Sequence, residues 1–394
     1  MGFIDVWNKI FGNKAKKNSF NISTPLYTSS FGNNVYESDI VLACIHTIAE
    51  ECSKIIIKSV KEVDGKVIPN DDDINRVFKS KPNPLMITKD LLYWTSWRLE
   101  TKYNAYWYPE TEIITYGDGT TKERIVAIWP VDSINEEMYY SESENEYYIK
   151  FTLKNGSNYT IKYKYIVHLR KYFTSENFYF GKISRNELLK NLKTMDVVTD
   201  LLPRSIQASM QTKGVLTAKS LVDASDLKEK KKEFEDSIKS GNSAIAVLDI
   251  AGEFTPVNIN PQQIDKGILD YLENKILKVF GVPSSILFGS GSDDDWSSLY
   301  QKNVEPFSIA IEQSTTAVFF NPRTLSFGNE IRCYDKLVQH YKVNTRLEIV
   351  KELGPRNYLS RSEQRALAGF EPDGGPEKVS LNFVDSDKAN EYQE

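Results

Sequence analysis

A chain of 394 residues has room for about two to three domains. Its 40% hydrophobic and 26% charged residues suffice for packed cores and exclude wholesale disorder. With 49 basic against 54 acidic residues the net charge is −5, which argues against tight gripping of nucleic acid but not against looser contact with it.

In chain order, residues 1–35 read as an amphipathic arm, MGFIDVWNKIFGNKAKK, followed by a linker rich in asparagine and serine. The apolar stretch of the arm is too short and interrupted for a signal peptide. Val6 stands where a myristoylation signal needs serine or threonine. No run approaches the roughly 18 to 20 apolar residues of a membrane span, so no membrane partner is expected. A helix is predicted from Ser38, with Val41, Cys44, Ile45, Ile48, Cys52 and Ile55 on one face. Cys44 and Cys52 read as small hydrophobes there. With Cys333 they give an odd number and no zinc spacing, which fits a reducing cytoplasm. Asp64-Gly65-Lys66 marks a turn between two short strands, and Asp71–Asp73 a charged loop. Lys81-Pro82-Asn83-Pro84 forbids helix, Thr88 is expected to cap the next one, and Tyr103–Tyr108 should be extended. Three strands follow, Arg124–Val131, Tyr147–Leu153 and Asn158–Phe173, the last broken near Tyr163 to Tyr165. The first 175 residues thus read as an α+β domain.

From Gly181 the pattern turns helical. Ser184 and Glu187 have capping-box spacing, and Leu188, Leu192, Met195, Val198, Leu202, Ile206 and Met210 recur at helical intervals. Pro203 should bend this helix, whose length at the usual rise is roughly 40 Å. A small αβ insert follows: a strand at Gly214–Thr217, a charged helix at Asp226–Ser240 and a strand at Ala244–Asp249. A second long helix is expected after Pro261, with Ile264, Ile268, Leu272, Ile276 and Val279 in register, ending at Gly281-Val282-Pro283. Residues 284–296 read as a loop of glycine, serine and aspartate, and Ser297–Phe320 as a third helix bent or broken by Pro306. A strand at Glu330–Tyr334, a helix over 335–353, a short helix after Tyr358 and a polar tail complete the chain, without any repeat of fixed period.

The residues that carry chemistry do not assemble into a catalytic pattern. His46 falls in a helix, His168 in a strand, and with His340 they complete the histidines; no Gly-x-Ser-x-Gly elbow accompanies them. Asp293, Asp294 and Asp295, in GSGSDDDW, are the best metal candidates. They lack the alternating spacing and closing glutamate of a calcium loop, and two-metal nucleases draw carboxylates from separate elements. A solvated loop is the plainer reading, for this triple as for Asp71–Asp73, so no metal, cofactor or catalytic residue is assigned. The helix at 226–240 sets Lys228, Lys230, Lys231 and Lys232 among Glu229, Glu233 and Glu235. That is either a solvated face of i,i+4 pairs or a docking surface of mixed charge.

The order of these elements resembles the portal-protein family of tailed phages, from about residue 36 to 372. Val41–Ile57 (VLACIHTIAEECSKIII) is similar to the family's opening helix. Pro82-Asn83, a helix and then Asn104-Ala105-Tyr106 resemble its next paired signals, with Tyr103 where the family usually has glycine. Ile166–Arg170 resembles the strand that closes its first domain, Gly281–Ser284 the turn after its second long helix, and Glu305-Pro306 the helix beyond. Leu359-Ser360 with Glu363 and Arg365 is similar to its C-terminal helix start.

The resemblance implies an α+β subunit: a flexible arm (1–35), a wing (36–180 and 322–357), stem helices (181–212 and 261–281), a small αβ clip (213–260), a tunnel loop (282–297), a channel-wall helix (298–321), and a small helical crown with the tail (358–394). It implies a ring, usually a dodecamer, at one capsid vertex of the virion, assembled in the host cytoplasm and not an enzyme. Double-stranded DNA would pass through the ring. Its partners would be the terminase large subunit, the major capsid or scaffold protein and the head–tail adaptor. On this reading Ser290, Ser292, Asp293, Asp294 and Asp295 form a mobile tunnel loop that repels phosphate within about 8 Å. Lys228, Lys230, Lys231, Lys232 and Glu233 form a docking surface on the clip, and Leu192, Met195, Ile264, Ile268 and Leu272 a subunit interface on the stem. Two other readings stay open: a metal-dependent nuclease of phage origin using Asp293–Asp295, and a self-assembling structural protein without a DNA channel.

Overall fold

The apolar stripe read from Ser38 forms α1 (Asp39–Cys52), and its Val41, Cys44, Ile45, Ile48, Ala49 and Cys52 are all buried. This computed structural model describes residues 38–63, 66–115, 121–175, 178–210, 214–218, 252–256, 266–335, 341–356 and 358–370, with Tyr36, Gly117, Gly119 and Lys232. The helix ends before the periodicity suggests. Ile56 and Ile57, read as its last turn, open strand β1 (Ile56–Val63), as a β-branched run favours. β1 is the middle of an antiparallel sheet, flanked by β2 (Lys66–Pro69) and by a strand from far along the chain, Asn329–Tyr334. After β2, Asp71–Asp73, read as a charged loop, lead into an unpredicted helix, α2 (Asp73–Lys79), capped by the Asp72 carboxylate, which accepts from the Asn75 N–H.

Helix α3 (Thr88–Lys102) starts one residue earlier than a Thr88 cap would place it. Asp90 accepts from the backbone N–H of Ile87, and the Thr88 hydroxyl donates instead to the Phe78 carbonyl. Tyr103, at φ 64°, turns the chain into β3 (Asn104–Thr115), which pairs with β4 (Thr121–Pro130) and β8 (Val167–Arg170). A third sheet holds β5 (Ser133–Ser141), β6 (Glu146–Leu153) and β7 (Asn158–Lys162). β5 is absent from the sequence reading because it is mostly exposed and lacks an apolar alternation. A short 3-10 turn at Tyr163–Tyr165 makes the expected break between β7 and β8.

Buried Arg98 ties α3 to two of these sheets. Its guanidinium donates to the Asn104 and Ser133 carbonyls, the Ser133 hydroxyl, Asp132 and Glu136. A buried cation with its donors engaged in this way is stable; one stripped of partners is not.

The chain divides into two compact units, Met1–Leu189 with Asn274–Glu394, and Lys190–Glu273. The first holds everything above. α4 (Asn186–Met210) leads from the first into the second and begins two residues after the predicted cap at Ser184, the Leu189 N–H bonding to the Arg185 carbonyl. It contains Pro203, as expected. In the second unit β9 (Gly214–Ala218) pairs antiparallel with β10 (Gly252–Pro256). The strand expected at Ala244–Asp249 lies outside the described residues, as does the charged helix apart from Lys232, which is helical and exposed. α5 (Lys266–Phe280) leads back into the first unit.

Candidate functional site

The helix stop at Gly281 is the starting point of the site. Its φ of +68° suits glycine, and a Cβ there would lie 2.1 Å from the Lys302 side chain. The N–H groups of Gly281 and Val282 both bond to the Leu277 carbonyl. Two further carbonyls of the last turn of α5 are met from a segment twenty residues onward: Lys302 Nζ donates to the Lys278 carbonyl at 2.9 Å and Asn303 Nδ2 to the Phe280 carbonyl at 3.1 Å. A cation and an amide at a helix C-terminus satisfy both its carbonyls and its dipole.

Residues 284–296 correct the expectation of one mobile loop. α6 (Ser284–Leu287) occupies the first part, and Gly289 and Ser290 return their N–H groups to the Ile286 and Ser285 carbonyls. The Ser290 hydroxyl faces the Ser285 carbonyl at 3.3 Å. The next helix, α7 (Asp293–Leu299), begins four residues before the predicted Ser297, so all three aspartates are helical. Ser292 is the N-cap. Its hydroxyl accepts from the Asp295 N–H, while the Asp295 carboxylate accepts from the Ser292 N–H and hydroxyl and from Ser285. Asp293 accepts from the Lys342 N–H at 3.1 Å and the Thr345 hydroxyl at 2.7 Å.

These donors set the electrostatics. Thr345 and then the Lys342 N–H hold the Asp293 carboxyl below the usual carboxylate range, and the Ser292 N–H with the two serine hydroxyls does the same for Asp295. Asp294 alone of the three is exposed. Among the described residues no group of three or more histidines, cysteines or acids is placed to hold a metal ion. The triple is thus the reinforced start of a helix, with one outward carboxylate.

Beyond α7 the helix widens into a π-turn, Tyr300–Val304, where the Glu305 N–H bonds to the Tyr300 carbonyl, and then narrows into α8 (Glu305–Phe319). Pro306 explains the placement: it offers no N–H and crowds the preceding turn, which a wider turn accommodates. Instead of breaking the helix at Pro306, the chain widens just before it, at the two residues that cap α5. α8 buries Phe307, Ser308, Ile311 and Thr315, and Val304 is buried in the π-turn before it. A short helix α9 (Pro322–Ser326), β11 (Asn329–Tyr334) and α10 (Val343–Leu353) follow; α10 starts at Val343, with Asp335, Tyr341 and Lys342 outside it. The last described helix, α11 (Arg361–Leu367), has the predicted start, Ser360 and Glu363 forming a capping box.

The predicted stem interface is divided. Leu192 and Leu272 are buried, at 1% and 7% exposed. Ile268 is 49% exposed and Met195 half-buried, while Ile264 lies outside the described residues. Of the clip residues Lys228, Lys230, Lys231 and Glu233 also lie outside them. His46 Nδ1 bonds to the Tyr93 hydroxyl. His168 is buried between the Tyr163 hydroxyl at 3.0 Å and Asn104 Oδ1 at 3.2 Å, and stacks on Tyr106. Burial, with Arg170 adding to it, lowers its pKa to about 3, so it is a neutral structural group. Asn104 also binds both backbone groups of Gly181, where a Cβ would strike the Lys171 carbonyl. No sequence signal singled out Asn104's partner glycine, Arg98 or Lys302, because each acts across long chain separations.

This arrangement can be compared with known proteins. No curated protein matches the chain. Among solved structures, a chain in the neck of an empty gene transfer agent particle is 13% identical, with 88% of this chain and 94% of that one covered at a TM-score of 0.58. A chain in the neck of the native particle, determined with C12 symmetry, has the same identity and coverage at 0.57. One in the virion of the native particle is 14% identical, covering 87% and 92%, at 0.55. These likenesses concern the fold. The phage portal protein family matches residues 39–369, most of the chain. The chain therefore belongs to the phage portal protein family and has the role of a portal, the head–tail connector.

Proposed function

We propose that the chain is the repeating subunit of a closed ring, twelve-fold as in the native gene transfer agent neck, through which double-stranded DNA enters and leaves a virion. The family match over residues 39–369 carries this reading, and the C12 symmetry of a structural relative supports the subunit number. The protein acts without catalysis: it holds a vertex of the particle, and the terminase large subunit, the major capsid or scaffold protein and the head–tail adaptor dock on it. The two-helix stem lies at 181–212 and 261–281, the clip at 213–260, and the wing at 36–180 with 322–357.

In this reading the channel contacts DNA without gripping it, which suits a net charge of −5. Ring closure draws on apolar side chains left uncovered on the stem, among them Val197, Ile268 and Tyr271, which are 58%, 49% and 64% exposed. Ile268→Asp should shift purified protein from rings to smaller species in light scattering, because a charge in a dry interface costs several kcal/mol. Full assembly of that variant would remove Ile268 from the interface.

Complementation of a phage lacking the gene tests the function itself. The intact chain should restore DNA-filled heads, and its absence should leave heads empty. Nicking of a plasmid by the purified protein with magnesium or manganese would instead favour a nuclease.

A further inference from the structure

Five aromatic side chains lie on the surface of the α+β region in unbroken contact. At the tip of the β5–β6 hairpin Tyr140 and Tyr147 meet with ring centroids 4.9 Å apart. Tyr147 reaches Tyr179 at 6.5 Å, Tyr179 meets Phe178 edge-on at 5.4 Å, and Phe178 packs on Phe173 at 5.9 Å. Each is between 45% and 67% exposed. Together these residues leave roughly 500 Å² in water, hydroxyls included, in the range of the largest patch on a monomer, which is often functional. Their mutual contacts order the side chains before anything binds, which lowers the entropy that binding costs.

One end of this ladder runs to the point where residues 1–35 join the described chain. Beside Phe173, Tyr172 meets Tyr103 edge-on at 5.5 Å, and the Tyr103 hydroxyl is 3.3 Å from that of Tyr36. The joining residues carry Phe3, Val6, Trp7, Ile10 and Phe11, large apolar side chains recurring three and four apart. The 24 residues between Phe11 and Tyr36 reach up to about 80 Å, whereas the ring-to-ring steps just given, with the span between neighbouring residues 172 and 173, keep the Tyr140 ring within roughly 50 Å of the Tyr36 ring. Of the acids at the hairpin tip Glu144 and Glu146 are already paired with Lys162 and Lys164, so it is the apolar surface, not charge, that the arm would meet.

We propose that this aromatic ladder is the docking site for residues 3–11 of the same chain, with the apolar side chains seated on the rings. The inference stands independently of ring formation.

Trp7→benzoylphenylalanine in the full-length chain provides the test, using a mixture of isotopically light and heavy protein. Irradiation should give cross-links to residues 140–147 or 172–179 within single chains. Phe173→Ser with Phe178→Ser should cut the yield about fivefold or more. Phe3→Ser with Phe11→Ser should do the same without touching the ladder, so a folding defect in the first variant does not decide the matter. Cross-links elsewhere, none at all, an undiminished yield in the second pair, or mainly light–heavy products would each overturn the proposal.

Discussion

The chain carries two runs of three aspartates, and they do the same kind of work from different positions. In Asp71–Asp73 the middle residue is the N-cap of α2. It accepts from the Asn75 N–H and from the buried Ser59 hydroxyl, and Asp73 pairs with Arg76. In Asp293–Asp295 the cap is Ser292, and the aspartates fill the first turn of α7. Two members of the second run are tied to other segments, Asp293 to Lys342 and Thr345 and Asp295 to Ser285. Both runs place negative charge on orphan N–H groups at the positive end of a helix. The difference lies in what remains exposed: Asp71 in one, Asp294 in the other. A run of acids is therefore not a uniform charged patch, because the fold uses some members and leaves others outward.

Acid titration gives the largest expected effect and must be separated before the triples are compared. The folded pKa of His168, about 3, lies below its ordinary value of 6.5, so the unfolded chain takes up that proton first. Its contribution is complete above pH 6.5 and is lost as pH falls towards 3, by about 3 kcal/mol at pH 4. Denaturant titrations over this range should show that slope, and His168→Gln should lack it whatever its baseline. Asp293 and Asp295 also have lowered pKa values, so their contribution persists above the ordinary carboxylate range and falls away below it, at lower pH than the onset for His168. Next in size is Asp72→Ala, which removes a cap and a partner of buried Ser59 and should cost about 2 kcal/mol in denaturant unfolding. Asp295→Ala removes one side of a capping box on the surface and should lower the melting temperature by less than Asp72→Ala does. The smallest effect belongs to Asp294→Lys, which reverses an exposed charge in the first turn of α7 and should lower the melting temperature only slightly. On the tunnel-loop reading that the resemblance implies, the same substitution should slow packaging at low salt and release it as salt rises.

Much of the fold was legible where a long stripe or alternation exists. α1, β6 and the stop at Gly281 follow from spacing alone, and the helix start at Ser360 from the family resemblance. α2 is a helix of seven residues, too short for its period to show, and β5 is too exposed to alternate. The loop reading of 284–296 came from composition, since glycine, serine and aspartate are shared by loops and helix starts. A finer signal was present: Ser292 and Asp295 have capping-box spacing. The division of the stem stripe was beyond the sequence, because periodicity shows which residues share a face and not whether the subunit or its neighbour covers them. Leu192 and Ile268 read alike, yet one is buried and the other half exposed.

Whether this subunit builds a ring is tested most directly by negative-stain images of the purified full-length protein. Closed rings of one size, with an open axial channel and twelve subunits in end-on views, are expected. Monomers, open filaments or particles without a channel would contradict the ring.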